Sequence, residues 1–149
     1  MTLKDVQKSS DTRGIDIQKV GVKNVEIPLN VVQKDGKNQT VSAIATISVD
    51  LPCHFKGTHM SRFIEILNKW RFQKLLSDDL EGYLKETVKT LESQNAHVKL
   101  AFKYFVDKKA PVSGLVAPMA YECAFDGTLV GQTYKFILSA RVPVTTLCP

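Results

Sequence analysis

The stretch LPCHFKGTHMSRFIEIL, Leu51 to Leu67, contains the change of period on which the fold turns. Before it, VEIPLNVV (Val25–Val32) and TVSAIATISVDL (Thr40–Leu51) are β-rich runs. They are separated by QKDGKNQ, whose Asp35-Gly36 suits a turn with positive φ, so the pair reads as a hairpin. From Thr58 the apolar residues fall at helical spacing: Met60, Phe63, Ile64, Leu67 and either Trp70 or Arg71. Thr58 is the expected N-cap. His59, Arg62, Glu65 and Lys69 occupy the opposite face.

Downstream, Ser77 is a cap candidate, with Asp78 and Asp79 in a favourable first turn. The helix it opens runs through Leu80, Leu84, Val88 and Leu91 to about Gln94. A short connection predicts that the two helices lie antiparallel. Alternation returns in HVKLAFKYFVD, where Val98, Leu100, Phe102, Tyr104 and Val106 share one face and Lys99 and Lys103 point the other way. After the loop KKAPVSGLVAP come MAYECAF and LVGQTYKFILSARVPVT, and Asp126-Gly127-Thr128 between them reads as a second hairpin turn.

The resulting order, ββααββ, predicts an α+β fold: an antiparallel sheet with two antiparallel helices on one face. The other face and the sheet edges then need partners. A homo-oligomer is therefore expected, with sheets continuing into a barrel across subunits. Residues 1–20 are polar and read as a lead-in segment, and residues 21–149 as the folded module.

A chain of 149 residues, 44% hydrophobic, is long enough to bury a core without staples. Its net charge of +5, from 20 Lys+Arg against 15 Asp+Glu, is spread along the sequence. That suits a small anionic ligand better than a nucleic-acid track, and no nucleic-acid partner is expected. Cys53, Cys123 and Cys148 are odd in number and widely spaced, which argues against a disulfide framework and for a reducing compartment. The first twenty residues show no apolar signal core and no run has transmembrane length, so a cytoplasmic location without membrane association is expected.

A helix start needs a cap and an apolar stripe, yet here Lys56, Gly57, Thr58, His59 and Arg62 crowd into seven residues. Free N–H groups, a glycine allowing close approach and three side chains that can carry positive charge suit a phosphate clamp. The bland alternative is a solvated helix face. His59 also suits proton transfer near neutral pH. His54 and His59 are five residues apart and do not share a helical face, so a metal pair is not expected of them. His97 reads as structural, Cys53 and Cys123 as packing residues. No GxxxxGK[ST] loop and no GxSxG elbow is present.

The order DVQ…DTRG…KVGVKNV, then LPCHFKGTHMSRFIEILN, YFVDKKAPVSG and ARVPVTTLCP resembles the N-terminal part of the type IB GTP cyclohydrolases, metal-dependent enzymes of the tunnelling fold. KGTHMSRF and PVTTLCP are its most specific segments, and it covers essentially the whole sequence. The resemblance implies conversion of GTP and water to 7,8-dihydroneopterin triphosphate and formate, as in folate biosynthesis, by a homotetramer. It implies a divalent metal (zinc, manganese or iron) whose bound water attacks guanine C8, with Cys148 as a metal ligand and catalytic residue. The clamp residues Lys56, His59 and Arg62 would then bind the GTP triphosphate. Family members join two such modules, and their remaining metal ligands and base-anchoring carboxylate lie further downstream, without counterparts before Pro149. Two alternatives stay open: another tunnelling-fold purine or pterin enzyme of the reductase type, and a non-catalytic module. Asp11–Gly14 and Ser113 belong to the resemblance without a derivable role.

Overall fold

The computed structural model describes residues 9–10, 12–70 and 77–146, with the side chains of Ser77 and Asp78 excluded. Arg71, Asp11, Cys148 and the expected cap contacts of Ser77 and Asp78 lie outside what is described. Strands β1 (Ile17–Val32) and β2 (Asn38–Leu51) are followed by helices α1 (Met60–Trp70) and α2 (Ser77–Leu91). Strands β3 (Asn95–Lys109), β4 (Val116–Val130) and β5 (Thr133–Arg141) complete the order. All five strands form one sheet in sequence order, with every neighbouring pair antiparallel.

The fold is thus α+β, as the periodicities predict, with a fifth strand beyond the expected ββααββ. β1 starts at Ile17, within the segment read as a lead-in. The first hairpin closes where expected: Gly36 has φ 81°, and Asp35 accepts the Lys37 N–H at 3.1 Å.

The second hairpin does not form at Asp126-Gly127. Both residues sit inside β4, opposite Lys99 and Val98, and the chain reverses instead at Gly131 (φ 58°), between Val130 and Thr133. Gly127 is there for packing: a Cβ on it would stand 3.2 Å from Leu84 Cδ1 of α2 and 3.4 Å from Val98 Cγ1. The missing side chain lets α2 settle on the sheet.

Alternation decides which sheet face is covered. Val41, Ala43, Ala45, Ile47, Val49 and Leu51 of β2 are buried, as are Ala96, Val98, Leu100 and Phe102 of β3. Phe63, Ile66 and Leu67 of α1 and Leu80, Tyr83 and Leu84 of α2 close over them. The α1 stripe is therefore rotated from the one expected, because Ile66 faces the core while Met60 is 39% exposed.

The helices run antiparallel, since the start of α1 meets the end of α2 and its end meets the middle. Lys69 Nζ and Trp70 Nε1 each donate at 2.7 Å to the Glu86 carboxylate, and the Trp70 ring lies edge-on to Tyr83, centroids 6.1 Å apart. α2 stops at Leu91, short of the expected Gln94. Glu92 takes the left-handed conformation (φ 55°) and the Ser93 N–H bonds the Val88 carbonyl at 3.1 Å, a Schellman closure.

Candidate functional site at the start of α1

The segment between β2 and α1 leaves the sheet at Leu51 and is held by backbone bonds rather than by regular structure. The Lys56 N–H donates to the Ser9 carbonyl at 3.2 Å and the Phe55 N–H to the Pro52 carbonyl at 3.0 Å. Asp16 accepts the Cys53 N–H at 2.7 Å. The helix opens one residue later than expected. Thr58 is buried, only 8% exposed, and His59 takes the cap place, its carbonyl accepting the Arg62 N–H at 3.1 Å. Burial of Thr58 under the helix start moves the first turn along the chain.

Antiparallel packing brings the end of α2 to this point. Gly57, Thr58, His59 and Arg62 surround a small space together with Leu51, Phe55, Leu91 and Glu92. Its volume is about 20 Å³, on the order of one water molecule. Arg62 is half-buried, and its Nη1 donates at 3.1 Å to the Thr90 carbonyl. There a guanidinium complements the negative end of the α2 dipole. Lys56 is exposed and outside the wall of the space, at the rim of the same segment.

The structure thus brings His59 and Arg62 together and leaves Lys56 beside them. Glu92 and the Thr90 carbonyl were not foreseen. The signal for them was the antiparallel helix pair, which sets the last turn of α2 against the first of α1.

The other singled-out residues fall elsewhere. The His54 ring packs on Phe55, centroids 4.3 Å apart. On the sheet face away from the helices, His97 Nε2 stands 3.0 Å from Asp126 Oδ1, a contact across β3 and β4 that keeps the ring in one orientation. Ser113 Oγ accepts the Leu115 N–H at 3.3 Å within the β3–β4 loop. Cys53 and Cys123 are free thiols, and burial pushes the Cys123 thiol pKa up, away from reactivity near neutral pH. Among the described residues no three His, Cys, Asp or Glu side chains come together to hold a metal ion. No described helix is long and apolar enough to cross a membrane.

Residues 3–149 match the family described as type I GTP cyclohydrolase folE2. The chain belongs to this family. It is 50% identical over 145 residues to the GTP cyclohydrolase FolE2 of Geobacter sulfurreducens, covering 97% of this chain and 55% of that protein. The Geobacter metallireducens enzyme of the same name is 47% identical over 99% of this chain and 56% of its own length. The one from Magnetococcus marinus is 45% identical, over 100% and 56%. The folE2-family chain therefore spans a little over half the length of these relatives.

Proposed function

We propose that this chain supplies the triphosphate-binding part of a type IB GTP cyclohydrolase, an enzyme that converts GTP and water to 7,8-dihydroneopterin triphosphate and formate. The observation that carries the reading is the cationic start of α1 in a chain half identical, over nearly all its length, to proteins named GTP cyclohydrolase. A space of about 20 Å³ is too small for phosphates. They would lie outside it, at the positive N-terminal end of α1 and within reach of the exposed Lys56. His59 and Arg62 would reach them from the wall.

The described residues do not make up a metal donor set. Cys148 is proposed as one ligand, on the strength of the PVTTLCP segment. The chemistry such an ion supplies is a bound water of lowered pKa, able to attack C8 of guanine near neutral pH. What this chain's own side chains contribute is the other end of the nucleotide: they neutralise and orient the triphosphate, so that binding energy remote from the base serves its positioning. We also propose a homotetramer in the cytoplasm whose sheets continue across subunits. Val130 at the end of β4 and Ile137 and Leu138 on the edge strand β5 are exposed apolar residues, in keeping with a covered surface.

The deciding experiment measures formate release from GTP by the intact protein and its Lys56→Ala variant. Formate formed with GTP, and a GTP KM raised about ten-fold or more by the substitution, is the expected result. NADPH-dependent reduction without formate would favour the reductase alternative, and an unchanged KM would return Lys56 to a solvated face.

A further inference from the structure

The space at the α1 start does not end the polar surface there. Leu51, in its wall, also lines an open cleft of about 320 Å³ with Asp16, Gln18, Asp50, Gln94 and Asn95. Gln18, Asp50 and Asn95 in turn line a third cleft of about 240 Å³, together with Ser48, His97 and Thr128. The first two spaces thus share Leu51 as a wall, and the second and third share Gln18, Asp50 and Asn95. The third lies towards the uncovered face, where His97 and Asp126 meet. Along β2, Leu51 and Ser48 are three residues, roughly 10 Å, apart, a span within the length of one nucleotide.

The middle cleft has a definite chemistry. Asp50 Oδ1 accepts two backbone N–H groups, from Gln94 at 3.0 Å and Asn95 at 2.6 Å, which fixes the carboxylate at the rim. Asn95 Oδ1 accepts the Gly131 N–H at 3.2 Å, which turns its Nδ2 donors the other way. An oriented carboxylate oxygen beside oriented amide donors matches groups that both donate and accept, and hydroxyls do so. Such carboxylates are a known means of holding ribose hydroxyls. A divalent cation fits less well, because no third metal-binding side chain joins the two carboxylates among the described residues.

Resting on the triphosphate reading above, we propose that this middle cleft holds the sugar of the nucleotide. Asp50 Oδ2 accepts from a ribose hydroxyl and Asn95 Nδ2 donates to one. The base then points towards the cleft that contains His97 and Thr128.

The test is calorimetric binding of three probes to the intact protein: GTP, 2′,3′-dideoxy-GTP and inorganic triphosphate. In the unsubstituted protein, loss of the diol weakens binding about ten-fold, as for a hydrogen bond to a charged group. In Asp50→Asn, which keeps an acceptor for the two N–H groups and converts the other oxygen to a donor, the gap between GTP and its dideoxy analogue falls below about three-fold. Asn95→Ala narrows the same gap. Inorganic triphosphate binds all three proteins alike. A full ten-fold gap in both variants would overturn the sugar assignment and leave the phosphate reading standing. Failure of inorganic triphosphate and GTP to bind any of them would overturn both.

Discussion

Arg62 Nη1 and the Thr90 carbonyl oxygen meet at 3.1 Å, so the residue proposed to bind the triphosphate also ties the first turn of α1 to the last turn of α2. Its two duties are separable. Arg62→Ala removes a charged hydrogen bond and should lower stability by about 1.5–3 kcal/mol, and it should raise the GTP KM. Arg62→Lys keeps a charge without the planar fork and should recover KM more than stability. Thermal unfolding and KM measured on both variants check this; unchanged unfolding in the alanine variant would show that the Thr90 bond contributes little.

Cys148 carries the metal prediction. Cys148→Ala in the intact protein should abolish both bound divalent metal and formate release, read by elemental analysis and by a formate assay. Wild-type metal content in that variant would remove the residue from the donor set.

Gly21 sits in β1 between two register shifts, Ile17/Val20 and Val22/Val25. A Cβ there would collide with the Ile47 carbonyl oxygen and stand 2.7 Å from Ser48 Cα, both main-chain atoms that cannot swing aside. Gly21→Ala should therefore cost at least about 2 kcal/mol, the range of overpacking that moves backbone. Denaturant unfolding decides the matter, and a loss below about 0.5 kcal/mol would contradict the close approach.

Glu86 sets a pH dependence. Its carboxyl is held below the usual range first by the hydrogen bond from Lys69 and then by that from Trp70. A depressed folded-state pKa means that the unfolded chain binds the proton more readily. The stabilisation is thus complete above the ordinary Glu pKa of about 4.3 and is lost as pH falls through the folded value. Glu86→Gln should lower Tm by a few degrees at pH 7, for a loss of about 1 kcal/mol. The gap should narrow as pH falls below the ordinary Glu range, and an equal gap at pH 3 and pH 7 would sink the assignment.

Much of the candidate site could be read in the residues themselves, because capping, charge and apolar period are local properties. Lys56, His59 and Arg62 stood out by their crowding. Thr90 and Asp50 did not, since each reaches its place through a partner 28 to 45 positions away in the chain, and no local pattern encodes such pairing. Asp126-Gly127 marks the same limit. As a dipeptide it favours a turn, but burial of Leu84 against Gly127 and the His97–Asp126 contact outweigh that preference and keep β4 extended.

By itself the sequence determined the α+β order, the first hairpin and the helix pair, because periods of 2.0 and 3.6 residues and an Asp-Gly turn act over a few residues. It also carried the family likeness. Only the tertiary structure decided the fifth strand, the rotation of α1 that buries Ile66, and the meeting of the α1 start with the α2 end. The physical reason is that a helix or strand has several apolar or polar faces open to it, and the choice among them is made by what the opposing surface buries.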